Sequence, residues 1–99
     1  MTFNERCYEL LRKIPKGKVT TYKEIANALG TKAHRAVGNA MNKNPNPIIT
    51  PCHRVVKADG SLGGYAFGSN KKISLLKDEG VSVQNNKIAD FSNKLYTFT

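Results

Sequence analysis

A mainly α domain with a small β wing is what this sequence predicts, on three observations. Capping boxes at Thr2 with Glu5 and at Thr21 with Glu24 each open a segment whose apolar residues recur at helical spacing. Only a tight turn, Gly30-Thr31-Lys32, separates the second segment from a third, and two short helices so joined are the sequence form of a helix-turn-helix. Val55-Val56 followed by Ala58-Asp59-Gly60-Ser61 then reads as a buried strand and the turn of a short hairpin or wing. The 99 residues suffice for one modest core, so the expectation is a single winged helix-turn-helix domain over residues 1–83 and a loosely held tail over 84–99.

Taken in order, the first helix carries Phe3, Cys7, Leu10, Leu11 and Ile14 on one face and is stopped by Pro15 and Gly17. Cys7 is there a small core residue. Ile25, Ala28 and Leu29 form the stripe of the second helix, with Gly30 closing it. The third, Ala33 to Asn42, sets Ala36, Val37, Ala40 and Met41 on one side. Small residues surround its one long cation, Arg35, an arrangement that fits either close helix packing or a guanidinium reaching into a groove or onto a phosphate.

Asn44-Pro45-Asn46-Pro47 cannot continue that helix, because each proline lacks an amide hydrogen and pushes its predecessor toward extended geometry. The Asn44 side chain is suited to fix the turn, and Ile48 and Ile49 are expected to bury the segment after it. Beyond the wing, Gly63-Gly64-Tyr65-Ala66-Phe67-Gly68 is a flexible loop with two aromatics, which serves either as a hydrophobic latch or as a flat surface for a planar ligand such as a nucleobase. Asn70 is placed to cap a final helix, Lys71 to Glu79, that ends at Gly80. In the tail, only Leu95 to Phe98 has the look of an extended segment.

Composition narrows the classes of function. With 39% hydrophobic and 23% charged residues the chain is an ordinary globular protein, and no apolar run or amino-terminal pattern marks a membrane span or a signal peptide, so an intracellular location (cytoplasm or nucleoid, or a nucleus) and no membrane partner are expected. Sixteen Lys and Arg against seven Asp and Glu give a net charge of +9, which favours a polyanionic partner, nucleic acid before an anionic membrane, although charge alone leaves plain solubility open. Cys7, His34, Cys52 and His53 lack the close spacings of a zinc site, so no metal is expected.

Chemistry concentrates in Thr50-Pro51-Cys52-His53-Arg54. A thiol attacks as thiolate, and an adjacent imidazole is one of the devices that favour that form, while a packed cysteine beside a satisfied histidine is the plain alternative. Asp78 and Glu79 end the last helix, where its dipole disfavours negative charge, so a carboxylate there either sits in solvent or serves a partner such as His53.

Six motifs in order are specific enough to name a resemblance: Gly-Lys-Val-Thr-Thr-Tyr at 17 to 22, Arg-Ala-Val-Gly-Asn-Ala-Met at 35 to 41, Asn-Pro-x-Pro at 44 to 47, Pro-Cys-His-Arg-Val at 51 to 55, Gly-Gly-Tyr at 63 to 65, and Leu-Leu-x-x-Glu-Gly at 75 to 80. The chain resembles the carboxy-terminal catalytic and DNA-binding domain of O6-alkylguanine-DNA alkyltransferases, repair proteins that move an alkyl group from guanine or thymine to their own cysteine. The resemblance implies Cys52 as acceptor, His53 as base acting through a water, Glu79 as the orienting acid, Asn44 as the brace and Tyr22 as a proton donor beside the phosphate of the target nucleotide. It implies a DNA surface of Tyr22, Ala33, Arg35, Ala36, Gly38 and Asn39, in which Arg35 fills the stack when the base is flipped out on the minor-groove side. Tyr22, Tyr65, Ala66 and Val55 are implied as the base pocket. A monomer that needs no cofactor, works once and acts on double-stranded DNA follows from the same likeness. The family's usual amino-terminal domain has no counterpart in the motifs, and Ala66 and Phe67 stand where some members have serine and glycine or tryptophan. Alkyltransferase-like relatives, which bind alkylated DNA and recruit excision repair, usually carry tryptophan where this chain has Cys52.

Overall fold

Helix α1 (Phe3–Lys13) starts where Thr2 and Glu5 cap each other reciprocally in the computed structural model, which describes residues 1–98. It buries Cys7, Tyr8 and Leu11, and Ile14 follows them into the core. Tyr8 is buried, and its hydroxyl donates to the Ala40 carbonyl at 2.8 Å and ties α1 to the third helix. Strand β1 (Thr20–Thr21) runs directly into α2 (Tyr22–Ala28), whose first turn is capped by the Thr21 hydroxyl accepting from the Glu24 amide. Helix α3 (His34–Asn42) packs on α2 and α1 through Val37, Ala40 and Met41.

The buried face of α2 is Ile25 and Ala26, whereas Ala28 is exposed and Leu29 half-buried, so the expected stripe is rotated by about one position. The reason is that α2 is only seven residues long and its contacts lie on both sides, toward α3 and toward β1.

A one-turn 3-10 helix (Cys52–Arg54) leads into β2 (Val55–Val56), which pairs in parallel with β1, Thr20 opposite Val55 and Thr21 opposite Val56. Helix α4 (Ser69–Asp78) then packs across the 3-10 turn and ends with Glu79 at its C-cap. Its N-cap is Gly68, at φ +94°, with no side-chain cap, so the capping role expected for Asn70 is not taken: the helix begins one residue before it.

Ile48 and Ile49 also differ from expectation, since both are exposed, Ile49 by 80%. Held by the Asn44 side chain, the turn carries Ile48 into the left-handed region at φ +78°, and the next side chain to enter the core is Thr50. Apolar character alone did not decide burial here; the turn geometry did.

The segment expected as a loose tail is instead folded onto the domain. Strands β3 (Val83–Gln84) and β4 (Lys87–Ile88) form an antiparallel hairpin, followed by α5 (Phe91–Lys94). The hairpin docks on the 57–62 turn: the Leu62 amide donates to the Asn86 carbonyl, the Ile88 amide donates to the Gly60 carbonyl, and Ile88 is buried. An extended stretch from Leu95 is present, with a bridge to Val19 and a 2.7 Å hydrogen bond from the Tyr96 amide to the Val19 carbonyl. Tyr96 and Phe98, edge to face at 5.2 Å, pack against the helical core. Few apolar residues suffice because each fills a place on an existing edge or groove.

Two buried clusters result. One joins α1, α2 and α3 to Cys52 and Val55, and the other joins Val19, Val56, Leu62, Leu76, Val81 and Ile88. The radius of gyration, 12.1 Å, is close to the ~13 Å of a folded 100-residue domain, as it must be with the tail folded in.

Candidate active site

Cys52 lies in the wall of a cavity of about 290 Å³ and is itself only 5% exposed. The Pro51-to-Arg54 turn puts it there: Asn44 donates through Nδ2 to the Thr50 carbonyl at 2.7 Å and accepts from the Asn46 amide at 3.0 Å, so the proline-rich turn arrives braced. Tyr22, Arg35, Gly38, Asn39, Tyr65 and Ala66 line the same cavity, with Met41, Asn42 and Gly64 in addition. Ala33 stands exposed at the N-cap of α3 and Ala36 is half-buried on it. Val55, expected in the pocket, does not line it; strand pairing with Thr20 turns its side chain into the helical core, fully buried.

His53 is fully buried, and its Nε2 lies 3.0 Å from Oε2 of Glu79. The carboxylate at the end of α4 therefore has its partner. Arg54 completes the cluster, donating through Nε and Nη2 to both Glu79 oxygens at 2.8 and 2.7 Å and through Nη1 to the Ile14 carbonyl. Burial pushes His53 below its ordinary pKa, more than Glu79 raises it, so the ring is neutral at neutral pH. Burial acts to raise Glu79, but the hydrogen bonds from Arg54 and His53 prevail and hold it below the ordinary carboxylate value. A neutral ring with a carboxylate at Nε2 carries its proton there and leaves Nδ1 as the basic nitrogen. Nδ1 is buried and has no hydrogen-bond partner among the described residues.

Burial raises the hydroxyls of Tyr22 and Tyr65 above their ordinary pKa, with a lesser contribution from Cys52, so both remain protonated donors. Tyr22 reaches toward the loop: its hydroxyl is 3.4 Å from where a Cβ on Gly63 would stand. A second, wider groove of about 750 Å³ shares Tyr22, Arg35, Gly38 and Gly64 with the first and brings Lys23, His34 and Lys57 to its walls. Tyr65 meets Phe67 edge on at 5.7 Å, and Phe67 is 61% exposed.

Sequence reasoning passed over Arg54 and Lys72. Lys72 is completely buried on α4, and its ammonium donates to the carbonyls of Val55 and Leu62 at 2.7 Å and of Gly64 at 3.0 Å. The one signal available was position: Lys72 falls on the inward side of α4, four residues before Leu76.

Against known proteins, the model of the 6-O-methylguanine DNA methyltransferase DNA-binding domain matches residues 2–81. The chain belongs to this family. A methylated-DNA--protein-cysteine methyltransferase of Methanosarcina acetivorans is 52% identical over 79 residues, 79% of this chain and 51% of that one. Among solved structures, Mycobacterium tuberculosis OGT in complex with DNA is similar with a TM-score of 0.78 and 46% identity, over 81% of this chain and 49% of its own. S. pombe Atl1, in complex with damaged DNA containing O6-carboxymethylguanine, has the same TM-score at 27% identity and covers 96% of this chain and 94% of its own. The chain spans about half the length, or less, of the curated family members it matches. Its small, mainly helical domain with small sheets matches the DNA-binding domains of those solved structures. Among the described residues, no helix is long and apolar enough to cross a membrane.

Proposed function

We propose that the protein removes the alkyl group from O6-alkylguanine in duplex DNA onto Sγ of its own Cys52. The observation that carries this reading is the pairing of a cavity-lining thiol with a buried, neutral His53 whose Nε2 is committed to Glu79 and whose Nδ1 is open. The thiol proton passes to His53 through a water, Sγ forms a bond to the alkyl carbon, and the carbon–O6 bond breaks. Tyr22 supplies a proton to the purine as charge develops on it. Guanine thus leaves with O6 as a carbonyl and a proton on its ring nitrogen, the proton held by His53 returns through water to Tyr22, and the thioether is permanent, so each molecule acts once and no cofactor takes part.

The reacting carbon of a stacked base is out of reach, and extrusion costs a few kcal/mol. In this reading α2 and α3 are a helix-turn-helix, the 57–62 turn is its wing, and α3 enters the minor groove, where Arg35 fills the space the base vacates. Lys23, His34 and Lys57 in the wider groove suit the flanking phosphates. The cavity, near the ~300 Å³ lower bound of ligand sites, suits a single base.

A second reading is a binding protein that recruits other repair factors. It is favoured by one observation: the fit to Atl1 runs over nearly the whole length of both chains. Retention of Cys52 favours transfer. Intact-mass measurement after incubation with a duplex containing O6-methylguanine separates them: one added methyl group, absent in Cys52→Ala, is expected, and tight binding with unchanged mass would replace transfer by recruitment.

A further inference from the structure

Lys72 is the largest fully buried side chain of the molecule, and nothing in the transfer chemistry above uses it. A lysine is buried without a carboxylate only where every ammonium hydrogen finds an acceptor. Here three hydrogens meet three carbonyls, and those carbonyls belong to two different pieces of chain: Val55 in β2, which follows the Cys52 turn, and Leu62 and Gly64, which flank the root of the loop bearing Tyr65 and Ala66. Gly64, Tyr65 and Ala66 line the cavity.

We propose that Lys72 is the positioning residue of this pocket: by donating to all three carbonyls at once, its ammonium holds the Gly63–Ala66 loop against the Cys52 turn in the shape that receives an extruded base, and loss of its proton releases that loop. The proposal rests on the reading that the cavity takes a base. A neutral amine has two hydrogens for three carbonyls, and the longest of the three bonds, to Gly64, is the one that yields. Burial brings Lys72 down from 10.5 to about 8, although a charge on Cys52 acts to hold the proton on, so release falls within a workable pH range. The titratable groups facing it are Cys52 and His53 of the 3-10 turn: a charge on Cys52 acts on Lys72, and the Lys72 charge helps to depress His53.

Local and global effects have opposite signs. The folded-state value lies below the unfolded one, so between about 8 and 10.5 the unfolded chain binds more protons and overall stability rises with pH while the loop loosens. A residue that merely held the fold together would not divide in this way. Backbone NMR of the full chain is the first test. The Tyr65 amide, bonded to the Gly64 carbonyl carbon, should titrate with a midpoint near that of Lys72 and stay still in Lys72→Met. An unmoved Tyr65 amide between pH 7 and 9, or the same titration in Lys72→Met, overturns the proposal. Should Lys72→Met not fold, the Lys72 side-chain resonance of the unaltered protein must share the midpoint of Tyr65.

The second test measures binding of Cys52→Ser protein to duplexes with and without O6-methylguanine. Preference for the lesion should fall about fivefold from pH 7 to 9, the equivalent of one hydrogen bond, and be flat when Lys72→Met is added. A constant preference beside a titrating Tyr65 amide also overturns the role assigned to Lys72. Absence of any preference at pH 7 would instead count against the base-binding reading, and the NMR result would still decide whether Lys72 governs the loop.

Discussion

His53 and Arg54 show how two neighbouring residues divide one carboxylate. Glu79 gives Oε2 to both and Oε1 to Arg54 alone, so the arginine fixes the carboxylate and the carboxylate fixes the ring. Because the folded His53 value lies below 6.5, the ring stays neutral through neutral pH, and the rate of the proposed transfer should be level there and decline only as pH falls through that depressed value. Stability should follow in the same direction: the depressed values of His53 and Glu79 contribute stability present above 6.5 and 4.5 respectively, lost as pH falls through each folded value. The charge of Arg54 itself depresses His53. Arg54→Met should therefore move the acid limb of the rate profile to higher pH, read by single-turnover kinetics. It should also cost about 3 kcal/mol in urea denaturation, since a nearly buried carboxylate loses its main partner. An unshifted limb would mean that Glu79 is held without Arg54.

At the scale of elements, the turn over residues 57–62 depends on one close approach. Gly60 sits at φ +85° with the Phe91 ring 3.0 Å from where a Cβ would be, so Gly60→Ala combines a left-handed backbone with a collision. A loss of about 2–4 kcal/mol is expected, a fall in Tm of 10 °C or more, and a change under 1 kcal/mol would show that α5 yields freely. Phe91 is also where reading the chain alone ran out. Capped helices were legible, because Thr2 with Glu5 and Thr21 with Glu24 are local chemistry, and so was the approach of Glu79 to His53, because a carboxylate at a helix C-terminus wants a reason. Ile48 and Ile49 were misread because a turn, not hydropathy, sets their exposure. Arg54 and Lys72 were invisible because a cation reads as surface until the carbonyls and carboxylates around it are assembled from distant parts of the chain.

The whole molecule is closed by residues 84–98. Removing them would expose Val19, Leu62 and the aromatic seat of Tyr96, and would leave the Leu62 and Thr20 side of the sheet without the hydrogen bonds to Asn86 and Tyr96. Truncation after Val83 should cost ~5 kcal/mol or more, comparable with the whole stability of a domain this size, measured as a loss of cooperative unfolding or a large fall in urea midpoint. A truncated chain that unfolds at the same midpoint would return this segment to the status of an appendage. The Val19–Leu95 bridge also has a bearing on how the protein comes into being. It joins positions 76 residues apart along the chain and lies beside the strand that pairs with the segment after Cys52, so its closure entropy is among the largest in the molecule. During synthesis at about 5–20 residues per second, Cys52 emerges several seconds before Leu95 does. Throughout that interval the thiol belongs to a nascent chain whose bridge to Val19 is unmade, and the fold around it is complete only after Leu95 has been made.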